Sequence, residues 1–147
     1  MVVQMYRVSH GSLAYQRCED QFLDNWEHPE KSAHVEDIYL VDEIDFGRSF
    51  RGTRFNTYME QNGGEYVKGY HGTRRACHVG ESGKSLIYCD NSECNLCCIL
   101  RHSFDVKHAT DKGMFGRGIY ATPCSSNLQR LTCMREIIIY AATNTLC

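Results

Sequence analysis

Proline is scarce in this 147-residue chain, at Pro29 and Pro123 alone, and tryptophan occurs once, as Trp26. No low-complexity tract and no internal repeat is found. An excess of charge of one sign is also lacking. The 16 basic and 18 acidic side chains leave a formal charge of -2, which offers no basic field for nucleic-acid phosphates. Long apolar runs are missing too; none approaches the roughly 18 residues that span a bilayer, so no membrane segment is expected. The opening Met1-Val2-Val3-Gln4-Met5-Tyr6-Arg7 has no basic region followed by an apolar core, so no secretory signal is expected. An intracellular protein, cytoplasmic or nuclear, is the expectation. Hydrophobic residues at 42% and charged residues at 23% are ordinary for a globular chain. The length suits one domain able to bury roughly two thirds of its unfolded surface.

What is abundant is cysteine. Nine is many for this length, and it is an odd number. An extracellular disulfide framework favours an even count with a signal peptide, so the dense spacing in the middle points to metal ligation in a reducing compartment. Cys77-x11-Cys89-x4-Cys94-x2-Cys97 supplies four soft ligands, for which tetrahedral zinc is the usual occupant. Two thiolates three residues apart can reach one ion from a single tight turn. Cys77 and Cys89 would close the loop between a strand and the next helix, supplying order that its own small core cannot. Four thiolates leave no open coordination position, so such a site is structural. Cys98, His78 and His102 are alternative ligands, and a set of buried free thiols is the competing reading. Cys18, Cys124, Cys133 and Cys147 are scattered and read as packing or surface residues.

Along the chain, residues 1 to 33 form a lead-in. Leu13, Cys18, Phe22 and Trp26 recur every four to five positions and predict a short amphipathic helix ending before Pro29. Val35, Ile38, Leu40, Val41 and Ile44 predict a strand over 34–45. Asp45 stands as an N-cap, and Phe46, Phe50, Arg54 and Tyr58 give one face of a helix to about Gln61, stopped by Gly63-Gly64. Glu65 to His71 reads as a strand ending at the histidine, residues 74 to 93 as loop, and Asn95 to Arg101 as a short helix. Ser103 to Gly116 reads as loop and Gly118 to Ala121 as a short strand. A helix could open at Thr122 or Ser125, and Ile137-Ile138-Ile139-Tyr140-Ala141 reads as a buried strand. Arg74-Arg75 reads as a solvated pair.

Two short motifs flank the cysteines: His71-Gly72-Thr73 and Met114-Phe115-Gly116-Arg117-Gly118-Ile119-Tyr120. Their order, their spacing and the preceding Gly64-Glu65 resemble the catalytic domain of poly(ADP-ribose) polymerase-type ADP-ribosyltransferases. In that family a strand ends in His-Gly-Thr or His-Gly-Ser, and a later one carries Phe-Gly-Lys/Arg-Gly-Ile-Tyr. The cysteine-rich insert looks like that of a fungal branch, and the resemblance covers about residues 34 to 141. It implies an α+β fold: an ADP-ribosyltransferase-like split antiparallel sheet with flanking helices and a zinc-stapled insert, built around the strands of His71 and Tyr120. It implies a domain over 34–147, incomplete at its C-terminus. It also implies that NAD+ is the substrate, bound through His71, Gly72, Thr73 and Tyr120, with His71 and Tyr120 in the catalytic centre.

The residue types suit that chemistry. A tyrosine face attracts the planar nicotinamide cation. The Gly72 backbone can offer the carboxamide a donor and an acceptor without a Cβ in the way. His71, by the resemblance, bonds the adenosine-side ribose. The family's catalytic Glu on a late strand has no clear counterpart, since Glu136 is the one acidic residue after Asp111. Ser125-Ser126 match the family, but Asn127 stands where Lys is common and Leu131 where a second stacking tyrosine is expected. Two readings follow. One is transfer of a single ADP-ribose from NAD+ to a protein or other acceptor. The other is a catalytically inactive, zinc-stabilised, truncated homologue acting as a binding module. A zinc-ribbon-like interaction domain of accidental similarity is a third.

Overall fold

The computed structural model describes residues 2–44, 57–64, 69–81, 83–113, 115–126 and 137–140. The N-cap at Asp45, the helical positions Phe46, Phe50 and Arg54, the strand approach 65–68, and Met114, Asn127, Leu131 and Glu136 lie outside the described residues. Among those described, the architecture is mixed α and β. Strand β1 (Val2–Arg7) precedes helix α1 (Leu13–Asp24) and strand β2 (Tyr39–Ile44). Strand β3 (Tyr70–Thr73), helix α2 (Asn95–His102), a 3-10 turn (Val106–His108) and strand β4 (Ile137–Tyr140) follow. No helix among them is long and apolar enough to cross a membrane.

The strands make two antiparallel pairs, β1 with β2 and β3 with β4. β1 runs from Val2 opposite Ile44 to Arg7 opposite Tyr39, with Val8 N–H adding a bond to Ile38 C=O at 2.9 Å. The segment 34–38, expected as strand, is not part of β2. Asp37 instead turns its carboxylate onto Arg7 and onto His10 Nε2 at 2.9 Å, an ion-paired corner at the strand's entrance. β1 was not anticipated: its pairing partner lies more than 30 residues away, beyond the reach of local periodicity.

Helix α1 starts at Ser12, whose hydroxyl accepts the Tyr15 N–H at 3.1 Å. Its inward face carries the buried Tyr15 and the half-buried Cys18 and Phe22, an i, i+3, i+7 series. Leu13, expected on that stripe, is 62% exposed, because it is the first helical residue and falls on the other side. The far end of α1 is fixed to β3. Tyr70 Oη donates to Gln21 C=O at 3.2 Å and accepts from Asn25 Nδ2 at 3.1 Å, and the Phe22 and Tyr70 rings meet edge to face. Residues 57–61 are helical, and Gly63 at φ 71° lets Gly64 N–H return to Met59 C=O at 2.8 Å, the expected glycine stop.

The main buried cluster is Val79, Cys94, Leu96, Cys97 and Leu100, with Met5 of β1 and Tyr88 packed on it. It therefore sits between α2, the 74–93 loop and the β1–β2 pair. Leu96, Cys97 and Leu100 form the buried face of α2, while Arg101 stands in its last turn, where a cation suits the helix dipole. Tyr39 Oη donates to Gly80 C=O at 3.1 Å, tying β2 to the same loop.

Candidate metal centre and histidine strand

The described residues of the 74–93 segment form no regular element, as the lack of periodicity implied, but they are not loose. Arg75, expected as half of a solvated pair, is largely buried. Its guanidinium donates to Val79 C=O at 2.6 Å and pairs with Glu81 at 3.1 Å, bending the chain back on itself. Arg74 is exposed, and its C=O accepts the Leu96 N–H at 3.0 Å, which docks the start of α2 on the exit from β3. Asn91 turns the chain into the helix, its C=O accepting from Cys94 N–H at 3.1 Å and its Oδ1 from Glu93 N–H at 2.9 Å.

These turns bring Cys77, Cys89, Cys94 and Cys97 together with all four sulfurs within 4.8 Å of one another. Cys77 Sγ lies 3.6 Å from both Cys94 Sγ and Cys97 Sγ. Zinc–sulfur bonds of about 2.3 Å in a tetrahedron require sulfur–sulfur edges of ~3.8 Å, so the cage has the size of a tetrathiolate site. The alternatives fall away. Cys98 Sγ turns to Ser92 C=O at 3.4 Å, and His78, 76% exposed, pairs with Glu81 at 2.8 Å. His102 is exposed and outside the group.

The electrostatics of the cage are uneven. Burial pushes the Cys97 thiol strongly up and the Cys77 thiol up as well. Burial opposes the Cys94 thiolate too, but the N–H groups of Ala76 and Cys97 and the neighbouring thiols outweigh it and bring Cys94 down to about 7. The Ala76 N–H lies 3.3 Å from Cys94 Sγ. That donor was not foreseen, since a backbone amide leaves no mark in a residue pattern. Cys94 and Cys97 are fully buried, whereas Cys77 and Cys89 are partly accessible.

The two flanking motifs also meet. β3 pairs with β4 from Tyr70 opposite Tyr140 to Thr73 opposite Ile137, so the strand continues past the histidine. On its other side Tyr70 exchanges two backbone bonds with Thr122, at 2.7 and 3.0 Å, as a single antiparallel bridge. The strand expected over 118–121 is not formed. Gly116 at φ 86° and the Tyr120 hydroxyl, which donates to Gly116 C=O and accepts from Phe115 N–H at 3.1 Å, fold that stretch into a turn. Gly113 packs beneath that ring: a Cβ there would lie 2.5 Å from both Gly116 O and Tyr120 Oη.

His71 Nδ1 lies 2.8 Å from the Tyr120 carbonyl oxygen. A carbonyl only accepts, so Nδ1 carries the proton, and in the neutral ring Nε2 is left as an acceptor. Phe104 meets the imidazole edge-on, ring centres 4.9 Å apart. Thr73 is buried. Ser125 and Ser126 serve the framework: Ser125 Oγ donates to Phe22 C=O at 2.7 Å, and Ser126 Oγ accepts from Glu27 N–H at 3.2 Å.

The class that fold and site define is a small mixed α/β protein whose cysteine cluster could hold a metal ion. No protein-family model matches the chain, and a comparison with curated proteins finds no match.

Proposed function

We propose that this chain is an NAD+-binding ADP-ribosyltransferase-like protein that transfers one ADP-ribose unit from NAD+ to an acceptor. In this reading Cys77, Cys89, Cys94 and Cys97 hold a structural zinc ion. The observation that carries the reading is the backbone register of β3. Tyr70 gives both of its backbone groups to Thr122, and an antiparallel strand alternates the side to which successive residues turn theirs. Gly72, two positions on, thus turns its N–H and C=O toward the Tyr120 side, beyond the single bridge. One donor and one acceptor side by side, with no Cβ in the way, suit a carboxamide.

His71 would accept a ribose hydroxyl at Nε2, its ring fixed by the Tyr120 carbonyl at Nδ1. Tyr120 would lay its face beside the nicotinamide cation, its hydroxyl held by Phe115 N–H and Gly116 C=O so that the ring is pre-positioned. Cleavage of the glycosidic bond leaves an oxocarbenium-like ribose, which a carboxylate normally stabilises. Glu136 lies outside the described residues. The zinc contributes order, not chemistry, since four thiolates close its coordination shell.

Incubation with nicotinamide-labelled NAD+ tests the enzyme. Release above a His71→Ala control is expected, and equal release from both would remove the activity. Metal analysis tests the cage: about one zinc per chain is expected, and less than about half an equivalent would end that part of the reading. One observation favours a second reading, a zinc-stabilised binding module without catalysis. The Tyr120 hydroxyl spends both of its hydrogen-bond roles on its own turn, as a purely structural tyrosine does. That reading expects zinc without NAD+ affinity by calorimetry.

A further inference from the structure

We propose that the cysteine cage is also an oxidation site, at which a peroxide joins Cys77 to Cys94 or Cys97 and the metal is released. The inference rests on the cage holding zinc and extends that reading to its regulation. Cys77 is the shared corner, 3.6 Å from each of two sulfurs, and a disulfide needs them at about 2 Å, so a shift of ~1.5 Å closes either bond. Cys77, like Cys89, is partly accessible where Cys94 and Cys97 are not, and an oxidant that reaches Cys77 finds two resolving partners already 3.6 Å away. Outside the cage, the half-exposed Cys98 faces the Ser92 carbonyl and Cys124 the Ser126 hydroxyl.

The chemistry balances in two steps. The Cys77 thiolate attacks one oxygen of hydrogen peroxide; the S–O bond forms, the O–O bond breaks, and hydroxide leaves. The sulfur is thereby oxidised by two electrons to a sulfenic acid. The thiolate of Cys94 or Cys97 then attacks that sulfur; the S–S bond forms, the S–O bond breaks, and the second oxygen leaves as hydroxide. Two ligands are consumed, so the zinc keeps two thiolates of four and dissociates. Loss of the cage frees the 74–97 loop, whose first residue docks α2 through the Arg74–Leu96 bond directly after β3. Thiol reductant together with zinc restores the closed form.

The test treats the reduced, zinc-loaded full chain with excess hydrogen peroxide. Zinc is followed with a chromogenic chelator, and cysteine cross-links by non-reducing peptide mapping. Release of about one zinc per chain, a Cys77–Cys94 or Cys77–Cys97 cross-link, and recovery with dithiothreitol plus zinc are expected. The Cys98→Ser variant should release zinc as the wild type does. Zinc retained while other cysteines oxidise overturns the proposal. So does release that is abolished by Cys98→Ser, or release without a cross-link to Cys77. A chain isolated without zinc would sink the zinc reading itself, and the cross-link map of the metal-free chain would then decide the oxidation site alone.

Discussion

Truncating Leu96 tests whether the cysteine cage and its helix form one cooperative unit. The side chain is 1% exposed and sits between Val79, Cys94, Cys97 and Leu100, with Met5 and Tyr88 at the margin. Leu96→Ala removes three carbons, worth ~2.4 kcal/mol at about 0.8 per buried methylene. The cavity left behind raises the cost to ~3 kcal/mol, because a cluster this small has few neighbours able to collapse into the space. The backbone is untouched, so the Leu96 N–H bond to Arg74 survives and no ligand is lost. If binding zinc and folding residues 74–102 are one event, the same ~3 kcal/mol appears as about a hundredfold weaker apparent zinc affinity. Competition against a chelator of known affinity measures it, with urea unfolding in parallel. A lowered urea midpoint with zinc affinity within about threefold of wild type would refute the reasoning, since the cage would then be formed independently of its core.

Gly113→Ala should destabilise by ~1–3 kcal/mol, because its Cβ would lie 2.5 Å from Gly116 O and Tyr120 Oη. Gly118→Ala, with nothing within 4 Å, should stay within ~0.5 kcal/mol; equal effects in thermal melts would contradict the packing described. The thiols set a pH dependence. Cys94 titrates at about 7, below the ordinary thiol value, so its contribution to the stability of the metal-free protein is present above that ordinary value and lost as pH falls through 7. Cys77 and Cys97, raised by burial, stay protonated at pH 8 and must each release a proton to a metal. Calorimetry of zinc binding at pH 8 in buffers of different ionisation enthalpy should thus report about two protons or more. Fewer than one would show that the cage is already ionised.

Much of the cage was legible because a cluster that could hold a metal ion is constrained in residue type and spacing together. Cys94 and Cys97 are three apart for a geometric reason, and Leu96 and Leu100 mark the helix they begin. Other features were hidden because their cause is distant. β1 is a strand through its partner β2, and Ser125 is buried through a carbonyl 103 residues away. Arg75 looked solvated beside Arg74; its burial follows from the fold-back to Val79 and Glu81. The stretch 118–121 has strand-forming residues, but the turn anchored by the Tyr120 hydroxyl competes with pairing and leaves only the Thr122 bridge. The expected strand over 34–38 gives way to the ion-paired corner at Asp37, where charge satisfaction overrides the apolar Val35 and Ile38.

Ser103 ends α2 at φ 67° and ψ -177°, its N–H on Ile99 C=O at 2.8 Å, a backbone state that costs a non-glycine residue of order 1–3 kcal/mol. The reversal it forces delivers Phe104 against the His71 ring, with the two ring planes nearly perpendicular. The cysteine-rich excursion therefore departs from the histidine's own strand and comes back to touch the same imidazole. Whatever tightens or slackens that closed circuit is felt by one aromatic ring, without any long relay through the rest of the molecule.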